Sequence, residues 1–128
     1  MTTIEFPAGI PGFESCRRYV LIQSDELHPG VCLKGLDENA PTFFLVDPRA
    51  VVADYVCDLT PADRARLGAE EDTACVWLAL VSCAGEEPRV NLRAPIVINP
   101  ARMRGIQVVP AESPWAADTP WLEAACSS

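Results

Sequence analysis

The chain of 128 residues holds a single histidine, His28, and that scarcity excludes more chemistry than any other feature of the sequence. Cys-His catalysis and mixed zinc sites draw on imidazole, and one ring beside Pro29-Gly30 suits a turn better than a general base. Cysteine is present six times, but paired cysteine is absent. Cys16, Cys32, Cys57, Cys75, Cys83 and Cys126 never form Cys-x-x-Cys. The spacing argues against zinc and against a disulfide framework, leaving reduced thiols; Cys75 and Cys83 lie in apolar sequence, where a thiol packs as a small hydrophobe. No Gly-x-Ser-x-Gly, phosphate loop or dinucleotide fingerprint occurs. The first residues, Met1 to Pro7, lack the basic and apolar regions of a secretory signal, and the longest apolar run, Ala74 to Ala84, is strand-sized. These absences lead us to expect a cytoplasmic chain that does not enter a membrane. Low-complexity sequence is missing as well, so one folded domain over residues 1–128 is expected, its tail from 110 partly irregular.

Positive charge is also short, with ten Lys and Arg against eighteen Asp and Glu. The deficit is local. Between Asp37 and Glu87 stand eleven carboxylates, Asp37, Glu38, Asp47, Asp54, Asp58, Asp63, Glu70, Glu71, Asp72, Glu86 and Glu87, opposed only by Arg49, Arg64 and Arg66. Outside this segment seven acids meet seven bases, so the whole surplus of −8 lies within it. Such a segment disfavours direct nucleic-acid binding, which needs cations against phosphate, and steers a basic partner toward itself. Asp54 with Asp58, or Glu70-Glu71-Asp72, leaves a glycosidase-like carboxylate pair conceivable, although acids this dense are ordinarily solvated. Without an assembled nucleophile, base, cofactor site or metal set, the residues point to a binding scaffold and not to an enzyme.

What is present is mostly strand and turn. Gly9-Ile10-Pro11-Gly12 signals a turn, and Arg18 to Ile22 a strand. Val31 to Leu36 and Thr42-Phe43-Phe44-Leu45-Val46 follow, the latter apolar on consecutive positions as in a strand covered on both faces. Asp47-Pro48 reads as a cap and first position of a single turn through Val52. Thr60 to Gly68 carries the one helix signal: Thr60 to cap, Pro61 for the first turn, Asp63 near the positive dipole end and Gly68 to stop. Thr73 to Cys83 is the longest strand candidate, and Gly85-Glu86-Glu87-Pro88 a hairpin loop returning through Arg89 to Leu92. The stretch Asn91-Leu92-Arg93-Ala94-Pro95-Ile96-Val97-Ile98-Asn99-Pro100 reads as two strands around a proline that should sit at an edge, a bulge or a corner, with a corner the favoured reading. Gly105 to Val109 closes a second hairpin. The fold class expected is mainly β, a small antiparallel β-barrel or two packed sheets with one short helix.

The ordered motifs resemble the flagellar assembly factor FliW family. The resemblance runs from Ile4-Glu5-Phe6 and Gly9-Ile10-Pro11-Gly12-Phe13-Glu14 through the strand around Tyr19. It continues over Phe44-Leu45-Val46-Asp47-Pro48 to Ala53-Asp54-Tyr55, then the Glu71-Asp72 lead into a long strand. Its most specific piece is Val90 to Asn99, with Gly105-Ile106-Gln107-Val108-Val109 behind. Departures are visible. Family members usually carry a further strand ahead of the counterpart of Ile4, Lys34-Gly35 stands where a Gln-Ser pair is common, and Ser113-Pro114-Trp115 replaces a tyrosine-bearing motif.

The resemblance implies regulation by protein binding: flagellin in the cytoplasm and, when freed from it, the RNA-binding translational repressor CsrA. Charge placement marks Asp54, Glu70, Glu71 and Asp72 as the expected contact to the regulator. Gly12, Phe13, Pro48, Tyr55, Asn91, Pro95 and Gln107 match family motifs and are read as architectural, Asn91 tying a strand end and Pro95 making the corner. Phe13, Phe43, Phe44 and Tyr55 are expected in the core, whereas Trp115 and Trp121 are left as either exposed anchors or a cap on the barrel. The competing readings are a small enzyme or ligand carrier using Cys57 or the acids, and an adaptor of the same fold without flagellar partners.

Overall fold

A computed structural model describes residues 3–23, 30–82 and 87–121. His28, Cys83, Glu86, Cys126 and the tip of the hairpin expected at 85–88 lie outside those residues. Eight strands are described in chain order: β1 (Thr3–Glu5), β2 (Arg18–Ile22), β3 (Gly30–Gly35), β4 (Thr42–Val46), β5 (Val76–Ser82), β6 (Arg89–Asn99), β7 (Arg104–Gln107) and β8 (Thr119–Pro120). A one-turn 3-10 helix at Pro48–Ala50 and the helix α1 (Pro61–Leu67) separate β4 from β5. Among these residues no helix is long and apolar enough to cross a membrane.

Strands β1 to β7 form a closed barrel in which each strand pairs antiparallel with the next, and β7 returns to β1 in parallel at Glu5 and Arg104. The parallel seam follows from the strand count. A meander reverses direction at every step, so its first and seventh strands must point the same way. The barrel expected as antiparallel is therefore mixed at one place, and the alternative of two packed sheets gives way to one continuous sheet.

Alternation sorts the side chains into three cores. Inward positions Ile4, Tyr19, Leu33, Leu45, Leu78, Ile96 and Ile98 fill the barrel, joined by Phe6, Ile10 and Cys16. Outward positions are covered in two places. Val97, Ile106 and Val108 lie under Leu67 of α1. Val46, Ala79, Val90 and Leu92 lie under Tyr55, Trp121 and the flanking Val51, Val52 and Trp115. Burial of Trp121 makes it a cover for the outer wall. The tail, expected without a clear element, contributes β8 against Arg89 and Val90.

Among the described residues, the outward row Ile22, Cys32 and Phe44, aligned by register across β2, β3 and β4, has no such cover. Ile22 is 37% and Phe44 36% exposed. The reading of β4 as covered on both faces is thus corrected. Its outer face carries Thr42 and Phe44 in solvent, and only Leu45 and Val46 are fully buried. Phe13 is corrected too: it stands 43% exposed at the Gly9–Phe13 turn, its ring edge-on to Phe43 at 5.3 Å. Phe43 is half-buried and Tyr55 buried.

Local chemistry explains the helical pieces. The Thr60 hydroxyl accepts from the Asp63 amide and the Asp63 carboxylate accepts from the Thr60 amide, a reciprocal cap on two otherwise orphaned donors. Gly68 ends the helix at φ 65, a left-handed conformation that residues with a side chain rarely adopt. Asp47 accepts from the Arg49 amide and Pro48 takes the first position of the 3-10 turn. The strand expected from Thr73 begins later, at Val76, because the Thr73 hydroxyl is engaged by the Glu70 amide in a turn.

Candidate partner-binding surface

The segment read as two strands is one strand of eleven residues, β6, with a deep bulge. Leu78 faces Ile96 and Leu80 faces Asn91, so Ala79 alone stands opposite four residues, Leu92 to Pro95. Proline interrupts a ladder by lacking a donor, and the bulge takes Pro95 out of the ladder with β5. Bulged backbone would leave polar groups unpaired, and the side chains around it supply the partners. The Asn91 Oδ1 accepts from the amides of Arg93 and Ala94, each at 3.1 Å. The Gln107 amide nitrogen donates to the Ala94 carbonyl at 3.0 Å, and the Tyr55 hydroxyl donates to the Leu92 carbonyl at 2.8 Å, buried. The Leu92 amide reaches the Ala116 carbonyl, and the Val108 amide the Pro95 carbonyl. Every amide of the bulge is thereby paired. Tyr55, Asn91, Pro95 and Gln107, scattered over 53 positions of sequence, meet at one structural feature.

Tyr55 links the bulge to the tail. Its ring lies 5.0 Å from that of Trp115, whose indole N–H donates to the Val56 carbonyl at 2.8 Å. Arg93 reaches the Ser113 carbonyl from the other side. The divergent Ser113-Pro114-Trp115 motif thus fastens the tail over the barrel wall. Burial, and behind it the neighbouring Cys57 thiol, holds the Tyr55 phenol well above its ordinary pKa. Gly12, at φ 91, forms the turn that presents Phe13, its amide donating to the Glu14 carboxylate.

Beside this feature lies a cleft of about 280 Å³ between the Asp47–Cys57 segment and the start of β5. Val56 and Val76 line it, 64% and 42% exposed, together with Cys57, Cys75, Trp77 and Arg49. Burial pushes both thiols up, Cys57 further by the charges of Asp58 and Asp63, while Arg64 draws Cys75 down. Both are therefore thiols at neutral pH and poor nucleophiles, which weighs against chemistry at Cys57. Exposed valines at irregular positions carry no sequence signal, and the cleft was not legible beforehand.

The four acids assigned to partner contact are all exposed. Asp54 sits in the turn after the 3-10 helix, immediately before Tyr55. Glu70, Glu71 and Asp72 form the turn after α1, where the Arg64 guanidinium holds the Glu70 and Glu71 carbonyls at 3.3 and 3.4 Å. Glu70, Glu71 and Asp72 are together by sequence, Asp54 lies apart from them in the chain, and the charged side chains lining the cleft are Asp47 and Arg49. Among the described residues none of their carboxylates forms an ion pair; the pairs present are Arg18–Asp37 and Arg66–Asp63. Among those residues, too, no three of His, Cys, Asp and Glu gather to hold a metal.

Comparison with known proteins agrees with this architecture. A profile of the family described as FliW protein matches residues 1–121. The flagellar assembly factor FliW of Natranaerobius thermophilus is 32% identical over 109 residues, covering 83% of this chain and 72% of its own. That of Thermosipho africanus is 35% identical over 109 residues, covering 83% and 75%. That of Azoarcus sp. is 33% identical over 114 residues, covering 83% and 78%. A crystal structure of the flagellar assembly factor FliW superposes with a TM-score of 0.85 at 26% identity, over 93% of this chain and 84% of that one. A filled seven-stranded barrel, a bulge tied by the motif residues and a family match through the last described residue lead to one conclusion: the chain belongs to the FliW family of flagellar assembly factors.

Proposed function

We propose that the chain couples flagellin supply to flagellin synthesis by binding two cytoplasmic proteins, flagellin and the translational repressor CsrA. Bound to flagellin it leaves the repressor free; released when flagellin is exported, it captures the repressor and lifts repression. The observation that carries this reading is the family match over the whole barrel. The charge distribution supports it, because an exposed acidic segment complements a basic RNA-binding protein and chiefly raises association rate and specificity. Repulsion between that segment and phosphate fits action through a protein partner, with no direct contact to nucleic acid. The barrel interior, packed with aliphatic and aromatic side chains, supports a scaffold over a ligand carrier.

Calorimetric titration of the purified chain with flagellin and with CsrA from the same organism, at low and moderate salt, tests the reading. Binding to both, with regulator affinity falling as salt rises, is expected. Replacing Glu71→Lys and Asp72→Lys together should weaken regulator binding about tenfold and flatten its salt dependence, leaving flagellin binding intact. Binding to neither protein would favour the adaptor reading.

A further inference from the structure

Beside Tyr55, between the 3-10 segment and the start of β5, two apolar side chains stand in solvent across one cleft. Val56 and Val76 face it from two separate segments, while Trp77 and Leu78 extend its lining below. The covered parts of the outer wall show what this chain does with apolar surface: α1 hides Val97 and Ile106, and the tail hides Val90 and Leu92. Here nothing of the described chain lies across the two valines. Between residues 47 and 72 seven carboxylates stand against three arginines. Arg64 is turned to backbone carbonyls and Arg66 to Asp63; Asp47 and Arg49 line the cleft, and the carboxylates of Asp58 and Asp63 lie near enough to Cys57 to act on its thiol. Asp54 and Asp58 flank the Tyr55–Cys57 wall in sequence, and the Glu70–Asp72 turn ends three residues before Cys75.

We propose that this cleft seats a cationic protein segment, which lays its positive side chains on Asp47 and Asp58 and inserts an aliphatic side chain between Val56 and Val76. The inference rests on the reading of a basic regulator as partner and names where and how that partner docks. An apolar anchor of this size, ringed by polar groups that exclude water, is the arrangement in which a few residues carry most of an interface's affinity. The rim charges act on approach and selectivity, the anchor on residence. Arginine- or lysine-rich segments with an interspersed Leu, Ile or Val match both requirements, whereas an acidic or wholly polar segment matches neither.

The native thiols provide the test. Cys57 and Cys75 line the cleft, and Cys32 lies on the uncovered outer face of β3, so it serves as an internal reference. The full-length chain is alkylated with maleimide at mildly alkaline pH, with and without saturating CsrA, and the rate at each cysteine is read by peptide mass spectrometry. Protection of Cys57 and Cys75 by tenfold or more, with Cys32 unchanged, is expected. A second arm uses Val56→Arg, an exposed position whose change leaves the core untouched. It should weaken regulator binding at least tenfold while flagellin binding and thermal unfolding stay as in the unaltered chain. Binding that leaves all three thiols equally reactive, or that Val56→Arg does not weaken, overturns the docking site and spares the regulator reading. No binding by the unaltered chain overturns both.

Discussion

Tyr19 and Tyr55 are the only two tyrosines in the chain, and both are buried. Burial, reinforced by a neighbouring cysteine in each case, holds both phenols far above their ordinary value. An unfolded phenol ionises near pH 10, roughly the value of a free tyrosine. Above that pH the folded state keeps protons that the unfolded state loses, so the stability these groups contribute is intact below pH 10 and drains away as pH rises beyond it. Phenolate absorbance should therefore stay flat past pH 10 and then rise in one step together with loss of far-ultraviolet circular dichroism. A gradual rise centred on the ordinary value, with dichroism unchanged, would mean that a ring is open to water. At this scale local chemistry accounts for only part of the geometry. Tyr55, Asn91, Pro95 and Gln107 stood out as motif positions, and Asn91 as a strand tie, because an amide side chain beside a proline has a local meaning. That the Tyr55 hydroxyl reaches Leu92, or Gln107 reaches Ala94, depends on pairs 37 and 13 residues apart, which no local rule contains. Phe13 and Phe44 were misplaced because hydrophobicity gives a preference for burial and says nothing about which face of a sheet receives a cover.

Among the elements, α1 was the most legible. Its cap, first-turn proline, acidic third position and terminal glycine are chemistry within nine residues, and the structure uses each as the sequence indicates. Such a short helix has little intrinsic stability and depends on its cap and on Leu67, wholly buried against Val97, Ile106 and Val108. Thr60→Ala should cost about 1 kcal/mol and Leu67→Ala about 2–5 kcal/mol in urea unfolding, the larger value reflecting a cavity between helix and barrel. Equal effects would place the helix's contribution in its cap and not in its packing. Strand β6 was the least legible. Proline and turn-forming asparagine are breakers by every short-range rule, and splitting the strand at Pro95 followed from them. The chain instead keeps its direction through the bulge because distant groups satisfy the backbone there, so a tertiary solution overrides a local signal.

For the whole molecule, closure of the sheet matters most. Alternating short strands predict a barrel class, yet they leave open how the ends meet, since the seam joins Glu5 to a residue 99 positions away. Strand β1 is three residues long and pairs on both sides, with β2 and with β7. Removing residues 1–6 should uncover facing edges on β2 and β7, each a template for another chain. Sedimentation analysis of that truncated chain should show concentration-dependent oligomers where the full chain gives a single species. A truncated chain that stays monomeric and unfolds as cooperatively as the original would show that the seam is dispensable. The acidic surplus, legible from the sequence as a segment, includes in three dimensions the exposed turn Glu70–Asp72 after α1 and the exposed Asp54 before Tyr55.

The single-residue parallel seam also sets a timetable. All other ladders of the barrel join neighbours in the chain and can form as soon as a hairpin's two arms exist. The seam must bring together positions about a hundred residues apart, an entropic toll of roughly 4 kcal/mol on the (3/2)RT ln n scaling. Ribosomal synthesis delivers β1 well before β7, so the first strand lacks its second partner until most of the barrel has been made. Closing the ring is therefore the step expected last in folding, and pulsed hydrogen exchange at the β1 and β7 amides would time it. Until the ring shuts, the facing edges of β1 and β7 are bare, and each is a template for pairing with another chain.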